Sequence, residues 1–159
     1  MVAFRHPAYE AKIRVRERKH PKLYWIDPGL VRAVSGKYGE LHPEERGALL
    51  EGLIATVLRA YRDHRGTFTQ LYYWATASSP RVEVDFLLQR GRDLCAIEVK
   101  SGTSLDNRHL KGLRAVGEFQ GVIRRILIYR GRRPMRTEDG IEILPVEEFL
   151  AVLDADGLF

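Results

Sequence analysis

The residues with the most chemical potential lie on two neighbouring segments, 81–89 and 93–101. Asp85 stands inside Val-Asp-Phe-Leu-Leu, although aspartate is depleted in strands. Glu98 and Lys100 follow in the second segment. The two-residue period of a strand puts Val82, Val84, Phe86 and Leu88 on one face and Glu83, Asp85 and Leu87 on the other. The same period puts Leu94, Ala96, Glu98 and Lys100 opposite Cys95, Ile97 and Val99. If the turn occupies 90–93, Gln89 pairs with Leu94. Asp85 then faces Glu98, with Cβ atoms about 5 Å apart. Two facing carboxylates repel. A hard divalent cation removes that objection, because Mg²⁺ takes oxygen ligands and is held by one or two carboxylates plus water. Lys100, two residues further on the same face, is placed to steady the charge that develops on a phosphate. The chemistry expected is metal-assisted phosphodiester hydrolysis. A surface hairpin alternates in the same way, and Glu-x-Lys is a common pattern. The weight therefore rests on Asp85 among its apolar neighbours.

The elements that must position these groups read in order. A short apolar strand is expected at 22–26. Asp27-Pro28 then caps a short helix, with Pro at its first position. Residues 43–63 form an amphipathic helix through Leu49, Leu50, Leu53, Ile54, Val57, Leu58 and Tyr61, closed by Gly66. Strands follow at 70–75, 81–89 and 93–101, then a helix over 106–120. Strands at 124–129 and 140–144 and a last helix from Pro145 complete the chain. The stretch 70–101 predicts an antiparallel meander, and 93–129 predicts a right-handed parallel crossover. The fold class is α/β: a mixed sheet flanked by helices, in one domain over 22–159. Residues 1–21 read as a poorly packed basic arm.

The 159-residue chain is 45% hydrophobic and 30% charged, which suits one folded domain rather than a disordered chain. No apolar run reaches the roughly 18 residues of a membrane span, and the N-terminus lacks a secretory apolar run. The single cysteine, Cys95, excludes an internal disulfide and reads as a small core residue. These features point to the cytoplasm. The net charge is +5, unevenly distributed: residues 1–22 carry +5, residues 121–136 carry +6, and the remainder is acidic. Two basic segments on an acidic body fit a phosphate backbone. Solvated surface is the plainer alternative.

These residues resemble the PD-(D/E)XK nuclease superfamily: Val84-Asp85-Phe86, then Ile97-Glu98-Val99-Lys100-Ser101, preceded by a helix bearing Glu51. The α-β-β-β-α-β order from 43 to 129 matches its restriction-endonuclease-like core, here with an extra C-terminal strand and helix. Val84 stands where the superfamily has proline. A closer resemblance is to the DUF4143 domain, usually the C-terminal part of prokaryotic AAA+-type ATPases. It is carried by residues 22–30, Gly47-Ala48-Leu49-Leu50-Glu51, Tyr73-Trp74, Glu83-Val84-Asp85-Phe86, Glu98-Val99-Lys100-Ser101-Gly102 and Leu110-Lys111-Gly112-Leu113-Arg114. It covers about residues 22–155. The resemblance implies that Asp85 and Glu98 bind Mg²⁺ or Mn²⁺ and that Lys100 assists the attacking water. Glu51 would be a further ligand or a hydrogen-bond anchor; from the residues alone it equally pairs with a nearby arginine. DNA is the implied substrate. From the charge placement, the basic arm and the 124–136 basic turn, with Arg124, Arg125, Arg132 and Arg133, would hold it, while Lys111 and Arg114 on the preceding helix would touch phosphate or, more plainly, form a solvated face. A homodimer and an ATPase partner are implied as well. Residues 1–21 would be what remains of an upstream segment. No phosphate-binding Gly-Lys-Ser/Thr loop occurs, so this chain is not itself an ATPase. Two alternatives stand beside the nuclease. One is a catalytically silent module of the same fold that binds DNA or an ATPase. The other is a structure-selective endonuclease like a Holliday-junction resolvase. Tyr72, Tyr73 and Trp74 would stack on bases or, more simply, fill the core. The five histidines show no metal-like spacing.

Overall fold

A computed structural model describes residues 2–11, 17, 20–77 and 79–159. Strands β1 (Ala3–His6) and β2 (Lys22–Trp25) pair antiparallel in a small ribbon, with His6 opposite Lys22. Helix α1 (Pro28–Val34) begins where Asp27 Oδ1 accepts the Leu30 N–H at 2.9 Å, the capping arrangement its sequence calls for. Helix α2 (Pro43–Ala60) continues into one π-helical turn, Tyr61–Arg65, and stops at Gly66 in the left-handed conformation (φ 66°). Strands β3 (Gln70–Ala75), β4 (Glu83–Arg90) and β5 (Asp93–Lys100) form the meander. A 3₁₀ turn (Asn107–Leu110) and α3 (Lys111–Val116) cross to β6 (Val122–Tyr129), parallel to β5. Strands β7 (Met135–Arg136) and β8 (Glu142–Pro145) and helix α4 (Val146–Asp154) complete the fold. The six-stranded mixed sheet runs β3-β4-β5-β6-β8-β7.

Each face of the sheet buries its own core. Phe86, Leu88, Cys95, Ile97, Val99, Ile126 and Ile128 pack under α2 and α4 through Ile54, Leu58, Phe149 and Leu153. Val84, Leu87, Leu94, Ala96 and Leu127 pack under α3 through Leu110, Leu113 and Val116. At full burial each large side chain contributes about 1.5–3 kcal/mol. Trp74 and Tyr73 are both buried, so these aromatics serve the interior and not a base-stacking surface.

Three sequence expectations are corrected. Residues 3–9 are not a loose arm: β1 pairs with β2, and the Tyr9 N–H donates to the Tyr73 carbonyl at 2.7 Å. The basic residues Lys12, Arg14, Arg16, Arg18 and Lys19 of that segment lie outside the described residues. The helix expected over 106–120 is shorter, because after Gly117 the chain turns Phe119 onto Trp74, ring centroids 5.2 Å apart. The basic stretch 130–136 contains the short strand β7 and is not turn alone.

A fourth correction concerns face. Val84 lies in the α3 core and Phe86 in the α2 core, although two residues along a regular strand share a face. Between Tyr72↔Leu87 and Trp74↔Val84 the pairing shifts by one, so Asp85 and Phe86 together oppose Tyr73. This is a β-bulge. It breaks the two-residue alternation of β4 at Asp85, whereas Glu98 pairs with Leu127 in an unbroken stretch of the β5–β6 register.

Candidate active site

The β4–β5 register is the one the sequence predicts, with Gln89↔Leu94 continuing to Phe86↔Ile97. There the regular ladder stops and side chains replace it. The Val99 N–H donates to Asp85 Oδ2 at 2.9 Å, and the Asp85 N–H donates to Glu98 Oε2 at 3.3 Å. The bulge interrupts the regular alternation on which the expected shared face of Asp85 and Glu98 rests. Both carboxylates nevertheless turn into the gap where the two strands part. Both residues are buried, at 6% and 7% exposure. Lys100 Nζ bonds Glu98 Oε1 at 2.5 Å.

Burial, then the neighbouring Glu51 charge, pushes Asp85 up to about 6, against the pull of Lys22 and Lys100. Burial, then Asp85, pushes Glu98 up to about 8, against Lys100. Two ionised carboxylates this close and this buried disfavour each other, and Lys22 and Lys100 offset only part of that. The Lys100 ammonium loses hydration by burial, but Glu98, then Asp85 and Glu51, outweigh that and hold its pKa above the usual lysine range.

On the α2 side the structure adds residues that sequence reasoning missed. Lys22 Nζ lies 3.0 Å from Glu51 Oε1 and 3.4 Å from Asp85 Oδ1, and it also pairs with Glu83. Burial opposes the Lys22 charge, but Asp85, Glu51 and Glu83 outweigh that effect and raise its pKa. The Tyr24 hydroxyl donates to the same Glu51 oxygen. Glu51 therefore serves as a hydrogen-bond anchor for the β2 ribbon. His6 is buried beneath these groups, and its Nε2 donates to the Asp85 carbonyl at 3.0 Å. Burial depresses the His6 pKa to about 4, so the ring is neutral near pH 7. None of these contacts has a periodic signature. Lys22 and Asp85 are 63 residues apart.

Among the described residues, no group of three or more His, Cys, Asp or Glu side chains is arranged to hold a metal ion. What is present is a pair of buried carboxylates, a hard-oxygen donor set of the kind Mg²⁺ or Mn²⁺ prefers.

The expected nucleic-acid residues divide by position. The parallel register sets Lys100 beside Tyr129, so the loop carrying Arg132 and Arg133 leaves the sheet at the Lys100 end. The Arg130 N–H donates to the Gly102 carbonyl at 3.1 Å. Arg132 and Arg133 are exposed. Arg124 instead lies level with Cys95, roughly 15–17 Å back along the strand. It is clamped on Glu142 by two 2.8 Å bonds. Arg125 bonds the Asp139 carbonyl, and Arg114 pairs with the Asp139 carboxylate at 3.0 Å. Lys111 is exposed on α3.

A mixed six-stranded sheet under helices, with buried acids at a strand divergence, defines the class of domain. Residues 46–149 match the family described as Domain of unknown function (DUF4143). The chain belongs to that family. No curated protein matches the chain. The crystal structure of protein VC1899 from Vibrio cholerae is similar in fold, at a TM-score of 0.51 and 19% identity. The similarity covers 82% of this chain and 44% of that one, so the chain spans less than half the length of that neighbour. No helix among the described residues is long and apolar enough to cross a membrane.

Proposed function

We propose that the domain is a metal-dependent phosphodiesterase of the PD-(D/E)XK type, acting on DNA in the cytoplasm. The observation that carries this reading is the pair of buried carboxylates, Asp85 and Glu98, held in the β4–β5 gap beside Lys100. Asp85 and Glu98 would hold Mg²⁺ or Mn²⁺, with water and a phosphate oxygen completing the shell. The ion would supply Lewis-acid polarisation of the phosphoryl group. Lys100 orients the water and offsets charge on the phosphate. The Val99 N–H fixes the Asp85 carboxylate, and His6 fixes the Asp85 main chain. Arg132 and Arg133, on the loop at the Lys100 end, lie where an approaching strand would pass. A branched substrate, a homodimer and an ATPase partner are finer forms of the same proposal.

A second reading has its own observation. Lys22 already pairs with Glu51, Glu83 and Asp85 and offsets part of their charge. That fits a silent module that binds DNA or a partner ATPase without cutting.

One experiment separates them. Labelled linear, single-stranded and branched DNA are incubated with Mn²⁺ and wild type, Asp85→Asn, Glu98→Gln or Lys100→Met, while binding is followed in parallel. Metal-dependent cleavage lost in each variant supports the nuclease, and cleavage confined to branched DNA assigns the resolvase form. DNA binding with no cleavage by wild type, and no Mn²⁺ shift of the melting temperature, refutes it in favour of the silent module.

A further inference from the structure

We propose that Lys22 is a displaceable internal cation: it occupies the open side of Asp85, and an incoming divalent ion must drive it off that carboxylate. This rests on the reading of Asp85 and Glu98 as the ion-binding pair. Asp85 Oδ2 is engaged by the Val99 N–H at 2.9 Å. Oδ1 is the oxygen that Lys22 holds, its Nζ donating from 3.4 Å. An ion bound to Oδ1 would lie within a few ångströms of the ammonium, where two like charges in a poorly screened site repel strongly.

The ammonium has a place to go. Of its three carboxylate partners, Asp85 is the most distant, while Glu83 and Glu51 lie closer. Glu83 and Glu51 belong to different elements, β4 and α2, so Nζ keeps two anchors after leaving Asp85. The ribbon itself need not move. Lys22 is held at its backbone by the His6↔Lys22 pair, and the neighbouring Tyr24 hydroxyl is tied to Glu51. Only the end of a flexible four-carbon side chain shifts. Lys22 thus stabilises the metal-free acid cluster and lowers its affinity for a divalent ion. It is a positioning residue, distinct from Lys100, which bonds Glu98 Oε1 at 2.5 Å.

The test is a calorimetric Mn²⁺ titration at fixed pH, with melting curves in chelator and in saturating Mn²⁺. Lys22→Met is expected to bind Mn²⁺ about 5- to 100-fold more tightly than wild type. It should melt lower than wild type in chelator and recover that loss in Mn²⁺. Lys22→Arg, which keeps the charge, should bind no more tightly than wild type. If Lys22→Met does not fold in chelator, Lys22→Gln, which keeps a neutral donor for Glu51, is read in the same titration with the same expectation. Tight binding by the neutral variant alone also supports the proposal. If wild type binds Mn²⁺, Glu98→Gln does not, and the neutral Lys22 variant binds no more tightly, Lys22 is not a competitor while the metal site stands. If neither wild type nor the neutral variant binds Mn²⁺, the metal site and the Lys22 proposal both fall.

Discussion

Helix α3 reaches β4 without a side chain between them at Gly112. A Cβ there would lie 1.8 Å from the Glu83 carbonyl oxygen, 2.8 Å from the Glu83 carbonyl carbon and 3.2 Å from Val84 Cγ2. Ordinary contacts of this kind begin near 3.4 Å, so Gly112→Ala would force the helix and strand apart by more than an ångström. Two buried side chains flanking Gly112, Leu113 and Val116, would lose contact with Val84 and Leu87. Overpacking of this order costs about 1–3 kcal/mol, and intrinsic helix propensity returns at most about 1 kcal/mol. The net loss is about 1–2 kcal/mol, a fall of roughly 2–8 °C in melting temperature for a domain this size. Gly52→Ala on α2 is the matched control, since a Cβ there meets nothing within 4 Å. It should hold or raise the melting temperature through helix propensity alone. The assay is thermal and urea unfolding of both variants beside wild type. A Gly112→Ala protein as stable as wild type would refute the close approach of α3 to the strand that carries Asp85.

Metal-free stability should depend on pH in both directions. Asp85 and Glu98 have raised folded pKa values, about 6 and about 8, so their contribution is complete below about pH 4 and is lost as pH rises through 6 to 8. His6 is depressed to about 4, so its contribution is complete above about pH 6.5 and is lost as pH falls toward 4. Melting in chelator from pH 4 to 9 should therefore decline on the alkaline side, and Glu98→Gln should remove most of that decline; a flat profile from pH 6 to 9 contradicts it. His6→Leu leaves the Asp85 carbonyl buried without its donor and should cost about 1–3 kcal/mol in urea unfolding. Arg132→Ala with Arg133→Ala should weaken DNA binding and reduce the slope of log K against log salt by about 2 in anisotropy titrations. Arg124→Ala, which strands Glu142, should chiefly lower the melting temperature.

The β4–β5 register was legible because alternation on both strands and the turn at Gly91, where φ is 63°, agree on a single pairing. The caps at Asp27 and Gly66 were legible for the same local reasons. The bulge was not. Val82, Val84, Phe86 and Leu88 alternate perfectly, yet α3 takes Val84 and α2 takes Phe86, so tertiary packing overrides the pattern. Asp85, Glu98 and Lys100 could be chosen from their types and spacing. Lys22, Tyr24 and His6 could not, because they arrive from a ribbon whose contacts with α2 and β4 span 27 to 79 residues. The length of α3 was misread because Phe119 continues an apolar spacing that the chain spends on Trp74 instead.

The small β1–β2 ribbon has a practical consequence for how the domain is handled. A recombinant fragment trimmed to 46–149 would retain all three residues of the acid–lysine motif but shed the strip that roofs them. Phe86 and Tyr73, which now pack at a tilt around the His6 ring at 5.3 and 5.8 Å, would meet water, and Asp85 would lose its ammonium neighbour. Such a fragment would report on a damaged site, so assays belong on protein that keeps its first two dozen residues.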